Sequence, residues 1–356
     1  MLAPYITENS AKVAAELNSI CERFDGTTVL ITGALGFLGQ YFLGFFTHIN
    51  ERLLDNPCRV LAYDNLITAE VTNQGAEPVL PNVSFRVQDV TTPLIVKENI
   101  DYVIHAAGIA SPFYYQKYPL ETLDVAVTGT RNLLELAREK RTQGVLFFSS
   151  SEIYGDPDAK HVPTSESFAG HVSCTGSRAC YDESKRLGET LCVIFHKLHG
   201  IPTKVVRPFN VYGPGMKETD YRVLPNFGSL IVGGKPLNIY GTGKQTRTFC
   251  YITDALEGFL RVLLDGVPGE AYNIGNPKPE ISVLELVSLL EKTLGRKIPS
   301  NLIEYPDSYP ADEPQRRCPN IIKAARQCGY HPKVDLASGL KYFMDWAEIN
   351  YTGVHS

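Results

Sequence analysis

Two groups of residues in this chain have the types and spacing of a proton-transfer site. In Tyr181-Asp182-Glu183-Ser184-Lys185 a phenol and an ammonium stand four residues apart, which puts both on one face at the start of a helix. A phenol with an ordinary pKa near ~10 is a poor base at neutral pH, but a cation held beside it favours the phenolate. Such a pair can take the proton of a hydroxyl while a hydride leaves the same carbon. The spacing alone is common on helices. It gains meaning from its position a short way after a serine-rich strand end, Ser149-Ser150-Ser151-Glu152-Ile153-Tyr154-Gly155. There Ser150 can hydrogen-bond the reacting hydroxyl and relay its proton, and Glu152 brings a carboxylate to the chemistry. Simple turn capping would account for Ser149 or Ser151 but leaves Glu152 without a purpose.

These side chains need a frame, and the pattern of the chain predicts one. From residue 27 to about 210, short apolar runs alternate with helical patterns, the signature of βαβ units and a parallel sheet. Strands are expected at Thr28 to Thr32, Arg59 to Tyr63, Val83 to Val87, Tyr102 to His105, Val145 to Phe148 and Thr203 to Val206. Leu120 to Arg138 and Asp182 to Leu198 repeat at helical spacing. Past 210 the chain becomes Pro/Gly-punctuated, with amphipathic stretches near 253–265, 281–294 and 335–348. The fold class expected is α/β, a Rossmann-type doubly wound parallel sheet with a smaller α+β substrate-binding lobe. Residues 1–26 form a helical extension, 27–210 the dinucleotide-binding part, and 211–350 mainly the second lobe, interleaved with the first.

Directly after the first strand comes Gly33-Ala34-Leu35-Gly36-Phe37-Leu38-Gly39, leading into a helical run. Glycines there permit a tight turn and let backbone N–H groups and the positive helix end meet a pyrophosphate. Asp64 closes the second strand, where a carboxylate accepts from an adenosine ribose and repels a 2′-phosphate, favouring NAD over NADP. Asp89, after the third strand, is a candidate for the adenine edge.

The 356 residues carry a net charge of −5, which gives no basic field for nucleic acid. Apolar stretches fall short of the ~20 residues of a membrane span, and residues 1–24 lack the pattern of a secretory signal. The eight cysteines include no C-x-x-C pair, so neither a metal site nor a disulfide framework is expected and a cytoplasmic setting is.

Taken together, the glycine turn, Asp64, His105-Ala106-Ala107-Gly108, the Ser149 to Gly155 segment and the Tyr181/Lys185 pair resemble the extended short-chain dehydrogenase/reductase family of nucleotide-sugar enzymes. Within it, GSRACYDESKR (176–186), RPFNVYGPG (207–215), GKQTRTFCYITD (243–254) and DEPQRRCPNIIKA (312–324) are most similar to the members that decarboxylate UDP-glucuronate. The likeness covers nearly all of 27–348. It implies NAD bound by Gly33, Gly36, Phe37, Leu38, Gly39, Asp64, Asn65, Asp89, Val90, Ala106, Ala107 and Gly108, with Tyr181 and Lys185. It implies a nucleotide-sugar substrate met by Ser151, Glu152, Asn210, Arg222, Arg247, Asn273 and Arg317 or its neighbour Arg316, since arginine forks suit diphosphate and carboxylate.

Oxidation at C4 of a glucuronosyl group would place the C6 carboxylate β to a ketone, let carbon dioxide leave, and allow re-reduction to a UDP-xylose-type product. The resemblance also carries 4,6-dehydratases and 4-epimerases as alternatives, a remote one being a non-catalytic sensor of the same ligands. Ser151-Glu152 suits the decarboxylases best. The family pairs the helices at 120–138 and 182–198 across a two-fold axis, so a homodimer built on a four-helix bundle is expected. The chain departs from the pattern at Gly215, where the family has Arg, at Ser184, where the decarboxylases carry Gly, and before Asp25, where nothing matches.

Overall fold

The structure, a computed structural model, describes residues 2–68, 79–305 and 314–353. The expected strands form with small changes of length: β1 Thr28–Thr32, β2 Arg59–Asp64, β3 Val83–Val87, β4 Tyr102–His105, β5 Gly144–Phe148 and β6 Thr203–Pro208. Shorter pieces follow, β7 Val211–Tyr212, β8 Leu237–Tyr240, β9 Thr246–Arg247 and β10 Cys250–Tyr251, then β11 Ala271–Ile274, β12 Ile281–Ser282, β13 Ser300–Ile303 and β14 Arg316–Arg317.

The central sheet has seven parallel strands in the order β3-β2-β1-β4-β5-β6-β11. Every residue of β4 and β5 is buried, as strands covered on both faces must be. The seventh strand is an addition to the sequence expectation. β11 lies far along the chain, in the part assigned mainly to the second lobe, and pairs with β6 in register Ala271↔Val205. Four residues give too little pattern to reveal it, and its place is set by the crossover through the long helix that precedes it.

The helices are α1 Pro4–Glu16, α2 Asn18–Cys21, α3 Phe37–Arg52, α4 Pro112–Lys117, α5 Pro119–Asp124, α6 Thr130–Lys140 and α7 Ala179–His199. After them come α8 Val223–Val232, α9 Ile252–Asp265, α10 Val283–Leu294, α11 Ile322–Cys328 and α12 Leu336–Asn350. The stretch expected as one helix over Leu120 to Arg138 is α5 and α6 joined by a π-helical turn, Val125–Gly129. A Cβ on Gly129 would lie 2.7 Å from Val90 Cγ2, so this turn packs tightly over the strand end.

Apart from the central sheet, the later part of the chain forms the pair β8/β13 and the three-stranded β12/β9/β14, with α8, α10 and α12. Local chemistry starts and stops its helices. Ser282 and Glu285 form a reciprocal capping box on α10, and Asp335 caps α12 by accepting from Ser338 N–H. One continuous apolar core runs from α1 and α3 through the sheet to α9 and α12. No helix among the described residues is long and apolar enough to cross a membrane.

Candidate active site

The carboxyl ends of β1, β2, β4 and β5 meet at one edge of the sheet, and the residues singled out from the sequence converge there. Gly33 leaves β1 with φ +70°, and a Cβ on it would sit 2.6 Å from the Ala107 backbone. Only a glycine lets the turn lie on the Ala106-Ala107 segment. A Cβ on Gly39 would come within 2.1 Å of Gly33 O, so α3 presses directly on the turn. Phe37, Leu38 and Gly39 open α3 ahead of its first intrahelical bond, from Gln40 N–H to Gly36 O (3.0 Å). Their N–H groups therefore have no partner within the helix.

Asp64 accepts from Leu35 N–H (2.9 Å) and Leu66 N–H (2.8 Å), which fixes its carboxylate against the glycine turn. Asn65 donates to Asp89 (3.0 Å), and Asp89 also accepts from Thr91 N–H (2.8 Å), which ties these two loops together. Val90 is buried, with its carbonyl held by Asn132 (2.9 Å). A cradle that a Cβ would fill, a helix start with unpaired N–H groups and a fixed carboxylate at the end of β2 fit the pyrophosphate and ribose of a dinucleotide.

Tyr181 and Lys185 lie in the first two turns of α7, both buried. Burial is the largest influence on the Tyr181 phenol and raises its pKa. The Ser150 hydroxyl, hydrogen-bonded to it, pulls the other way; Asp182 raises it again, and the Arg222 and Arg178 guanidinium groups lower it. Ser150 Oγ accepts from Glu152 N–H (3.2 Å), leaving its own proton to give to the phenol oxygen. The capping serine and the relay serine are thus the same residue.

Lys185 acts less directly than the sequence suggested. Its ammonium donates to Phe148 O (2.8 Å) and sits 5.8 Å from the centre of the Tyr181 ring, and burial pushes its pKa down to about 8. Gly108 makes room for it, since a Cβ there would lie 3.0 Å from Lys185 Nζ. A Tyr115 ring stacks on Tyr181 at 5.4 Å and holds the phenol in place.

Glu152 is clamped by two arginines. Arg317 reaches it through both of its terminal nitrogens (2.5 and 2.7 Å), and Arg178 pairs with the same carboxylate while also facing Asp182 at 3.5 Å. All of these side chains are nearly closed off from solvent. Sequence reasoning missed Arg178. A signal was present: it is the residue preceding α7, where the helix dipole disfavours a cation, so something else must hold it there.

The structure also decides between the paired candidates on β14. Adjacent strand residues point to opposite faces. Arg316 turns away to a bidentate pair with Glu280 (2.8 Å), whereas Arg317 turns in to Glu152. Arg247, paired in register with Arg317, is buried and donates to Thr246 O (2.9 Å) and Gln315 O (3.3 Å). Asn210, at φ +42°, donates to Thr248 O (2.8 Å). Arg222 is held by Asp220 (2.5 Å) and its charge reaches Tyr181. Ser151 is buried at the start of the turn Ser151–Tyr154.

Asn273 is not brought to the cleft surface. It is 0% exposed, accepts from Tyr154 Oη (2.7 Å) and spends both amide protons on Thr164 O (2.9 Å) and Asn320 O (3.1 Å). A substrate contact was expected of it, but every polar position of the side chain is used to join β11 to its neighbours. Of the 312–324 motif, residues 312 and 313 lie outside the described residues.

One edge of a parallel sheet thus carries a glycine turn that fits a pyrophosphate and, beside it, a buried Tyr181 and Lys185, a combination that suits a dinucleotide-dependent redox enzyme. The chain belongs to the NAD dependent epimerase/dehydratase family, which residues 29–275 match. Among curated proteins it is similar to UDP-glucuronic acid decarboxylase 6 of Arabidopsis thaliana, 37% identical over 88% of this chain and 86% of the relative. It is also 36% identical to UDP-glucuronic acid decarboxylase 1 of Xenopus tropicalis, over 89% of this chain and 71% of the relative. Among solved structures, a UDP-glucuronic acid 4-epimerase of Bacillus cereus in complex with UDP-glucuronic acid and NAD superposes with a TM-score of 0.73 at 26% identity, covering 91% of this chain and 100% of that one. An epimerase of Methanothermobacter thermautotrophicus gives 0.79 at 26%, over 95% and 96%.

Proposed function

We propose that this protein is an NAD-dependent decarboxylase of UDP-glucuronate, giving a UDP-xylose-type product. The observation that carries this reading is the pair of buried guanidinium groups, Arg178 and Arg317, held around Glu152 beside the Tyr181 phenol. With Arg247, buried and in register with Arg317, three guanidinium groups stand against the two carboxylates of Glu152 and Asp182, and that surplus of buried positive charge suits a sugar carboxylate better than a neutral sugar. The decarboxylase relatives support the same choice.

NAD would be held by the glycine turn, the start of α3, Asp64, Asn65, Asp89, Val90, Ala106, Ala107 and Gly108, and when bound it supplies a hydride acceptor and donor at C4. Tyr181 takes the O4 proton as general base. Ser150 stabilises the developing phenolate, and the Lys185 ammonium beneath the ring lowers the cost of that charge. Once C4 is a ketone, the electrons of the C5–C6 bond move into an enolate as carbon dioxide leaves. Arg247 and Arg317 hold the carboxylate in position, and Glu152 handles the proton that C5 then receives. Asn210 and Arg222 serve the nucleotide diphosphate.

Incubation of the purified chain with UDP-glucuronate should yield carbon dioxide and a UDP-pentose by mass spectrometry. A second reading, 4-epimerisation of the same substrate, is favoured by the likeness to the Bacillus cereus enzyme and predicts an unchanged mass with altered stereochemistry. Loss of water instead would indicate a dehydratase. Replacing Tyr181 with Phe should reduce turnover by ~1000-fold or more while sparing NAD binding, since only the proton acceptor is removed.

The division into an NAD-binding part over 27–210 and a mainly substrate-binding lobe over 211–350 is part of this reading. So is a homodimer: Leu187, Leu191, Ile194 and Leu198 form an a/d-like stripe along α7, and three of the four are exposed. All eight cysteines are unpaired, which suits a reducing compartment such as the cytoplasm.

A further inference from the structure

The N-terminal helix lies outside the stretch that matches the family, yet it touches the active-site lobe at a point the sequence had marked, Gly215. Helix α1 buries Ile6, Asn9, Ser10, Val13 and Ala14, one continuous face. It crosses α3 at Gly44, where a Cβ would come within 2.5 Å of Ile6 Cγ2 and Ser10 Oγ. Beyond that crossing, two contacts lead into the turn at 213–216. Asn9 donates to Tyr41 Oη (3.4 Å), and Tyr41 Oη donates to Pro214 O (2.8 Å). The Tyr5 ring covers Gly215 so closely that a Cβ there would lie 3.2 Å from its Cε2 and Oη, and Gly215 holds φ +92°. Trp346 backs the Tyr5 ring edge-on at 5.4 Å.

That turn leads a segment that enters the cleft. Lys217 donates to Thr68 O beside the second strand's loop, Thr219 hydrogen-bonds Tyr114 (3.3 Å), Tyr221 packs on Phe113 (4.8 Å), and Arg222 acts on the Tyr181 phenol. Its other supports come from the far end of the chain. Tyr351 Oη donates to Met216 O (2.9 Å), and Glu218 accepts from Thr352 N–H (2.9 Å) and Gly353 N–H (2.7 Å). The cleft segment is therefore suspended between the two ends of the protein.

We infer that Tyr5 is a positioning residue for the substrate site: by covering Gly215, helix α1 sets the course of residues 213–222 and with it the place of Arg222. The N-terminal extension is then a working part of the catalytic unit, and its contribution is to substrate binding more than to the proton-transfer pair. The effect on turnover rests on the UDP-glucuronate reading; the effect on the segment does not.

Limited trypsin digestion of the full chain tests the structural half, because Lys217 and Arg222 are cleavage sites within the segment. Proteolysis follows the population of locally opened chain, so Tyr5→Ala should be cut after Lys217 about tenfold faster than wild type, and Tyr5→Phe at the wild-type rate. With UDP-glucuronate, Tyr5→Ala should raise KM about tenfold with kcat within about twofold, and Tyr5→Phe should restore KM. Wild-type cleavage and wild-type KM in Tyr5→Ala would overturn the inference. Should Tyr5→Ala fail to fold, Tyr5→Leu keeps an apolar side chain on α1 but removes the ring over Gly215 and must show the same two changes. If the wild type does not turn over UDP-glucuronate, the functional reading fails and the cleavage rates alone decide this one.

Discussion

At the scale of single residues, the site is governed by burial more than by the charge next door. Tyr181 and Lys185 are spaced as a phenolate pair, but desolvation opposes both ionised forms, and the lysine is occupied by Phe148 O. The help the phenol receives comes from Ser150 and Arg222, which sequence reasoning had named, and from Arg178, which it had not. His105 shows the same rule with a measurable consequence. It lies fully buried between Thr32 (2.8 Å) and Thr130 (3.1 Å), and burial, with the nearby Lys185 charge, pushes its pKa down to about 3. Below an unfolded pKa near ~6.5 the unfolded chain takes up a proton that the folded chain refuses, so stability is complete above that value and falls as pH drops, by ~1.4 kcal/mol per unit from this group. Urea unfolding of His105→Gln should show a correspondingly shallower loss between about pH 6 and about pH 4. An unchanged slope would remove His105 from the acid response.

At the scale of elements, the glycine turn and α3 function as one piece. Gly39 stands in the first turn of α3, and alanine is ordinarily the better helix former. Here its Cβ would lie 2.1 Å from Gly33 O and 2.7 Å from Ala34, so the sign reverses. Gly39→Ala should cost ~1–3 kcal/mol of stability and lower NAD affinity by about tenfold or more, because relief requires moving the N–H groups of the first helical turn. Equilibrium dialysis with NAD measures this, and wild-type affinity would show that the turn is not the cradle. Element boundaries were legible in the sequence wherever apolar periodicity was long, as in α7, α9 and α12. The π-helical turn between α5 and α6 was not, and it packs where Gly129 meets Val90, a contact between residues far apart in the chain that periodicity does not record.

At the scale of the whole molecule, α7 carries a stripe of Leu187, Leu191, Ile194 and Leu198, three of them exposed, that suits a partner helix. Sedimentation at micromolar concentration should give a dimer for the wild type and a monomer for Ile194→Glu, which places a charge in the apolar seam. A monomeric wild type would refute the association. What the sequence by itself determined was whatever short-range pattern encodes: six of the seven sheet strands, the glycine turn after β1 with Asp64 closing β2, and the candidate quartet of Ser150 and Glu152 after β5 with Tyr181 and Lys185 at the start of α7. Tertiary structure alone decided which of Arg316 and Arg317 faces Glu152, that Asn273 is spent inside the fold, that β11 completes the sheet, and that α1 reaches Gly215. The reason is physical: propensity and periodicity act over a few residues, whereas these outcomes depend on contacts between segments tens to hundreds of residues apart, which exist only once the chain has closed on itself.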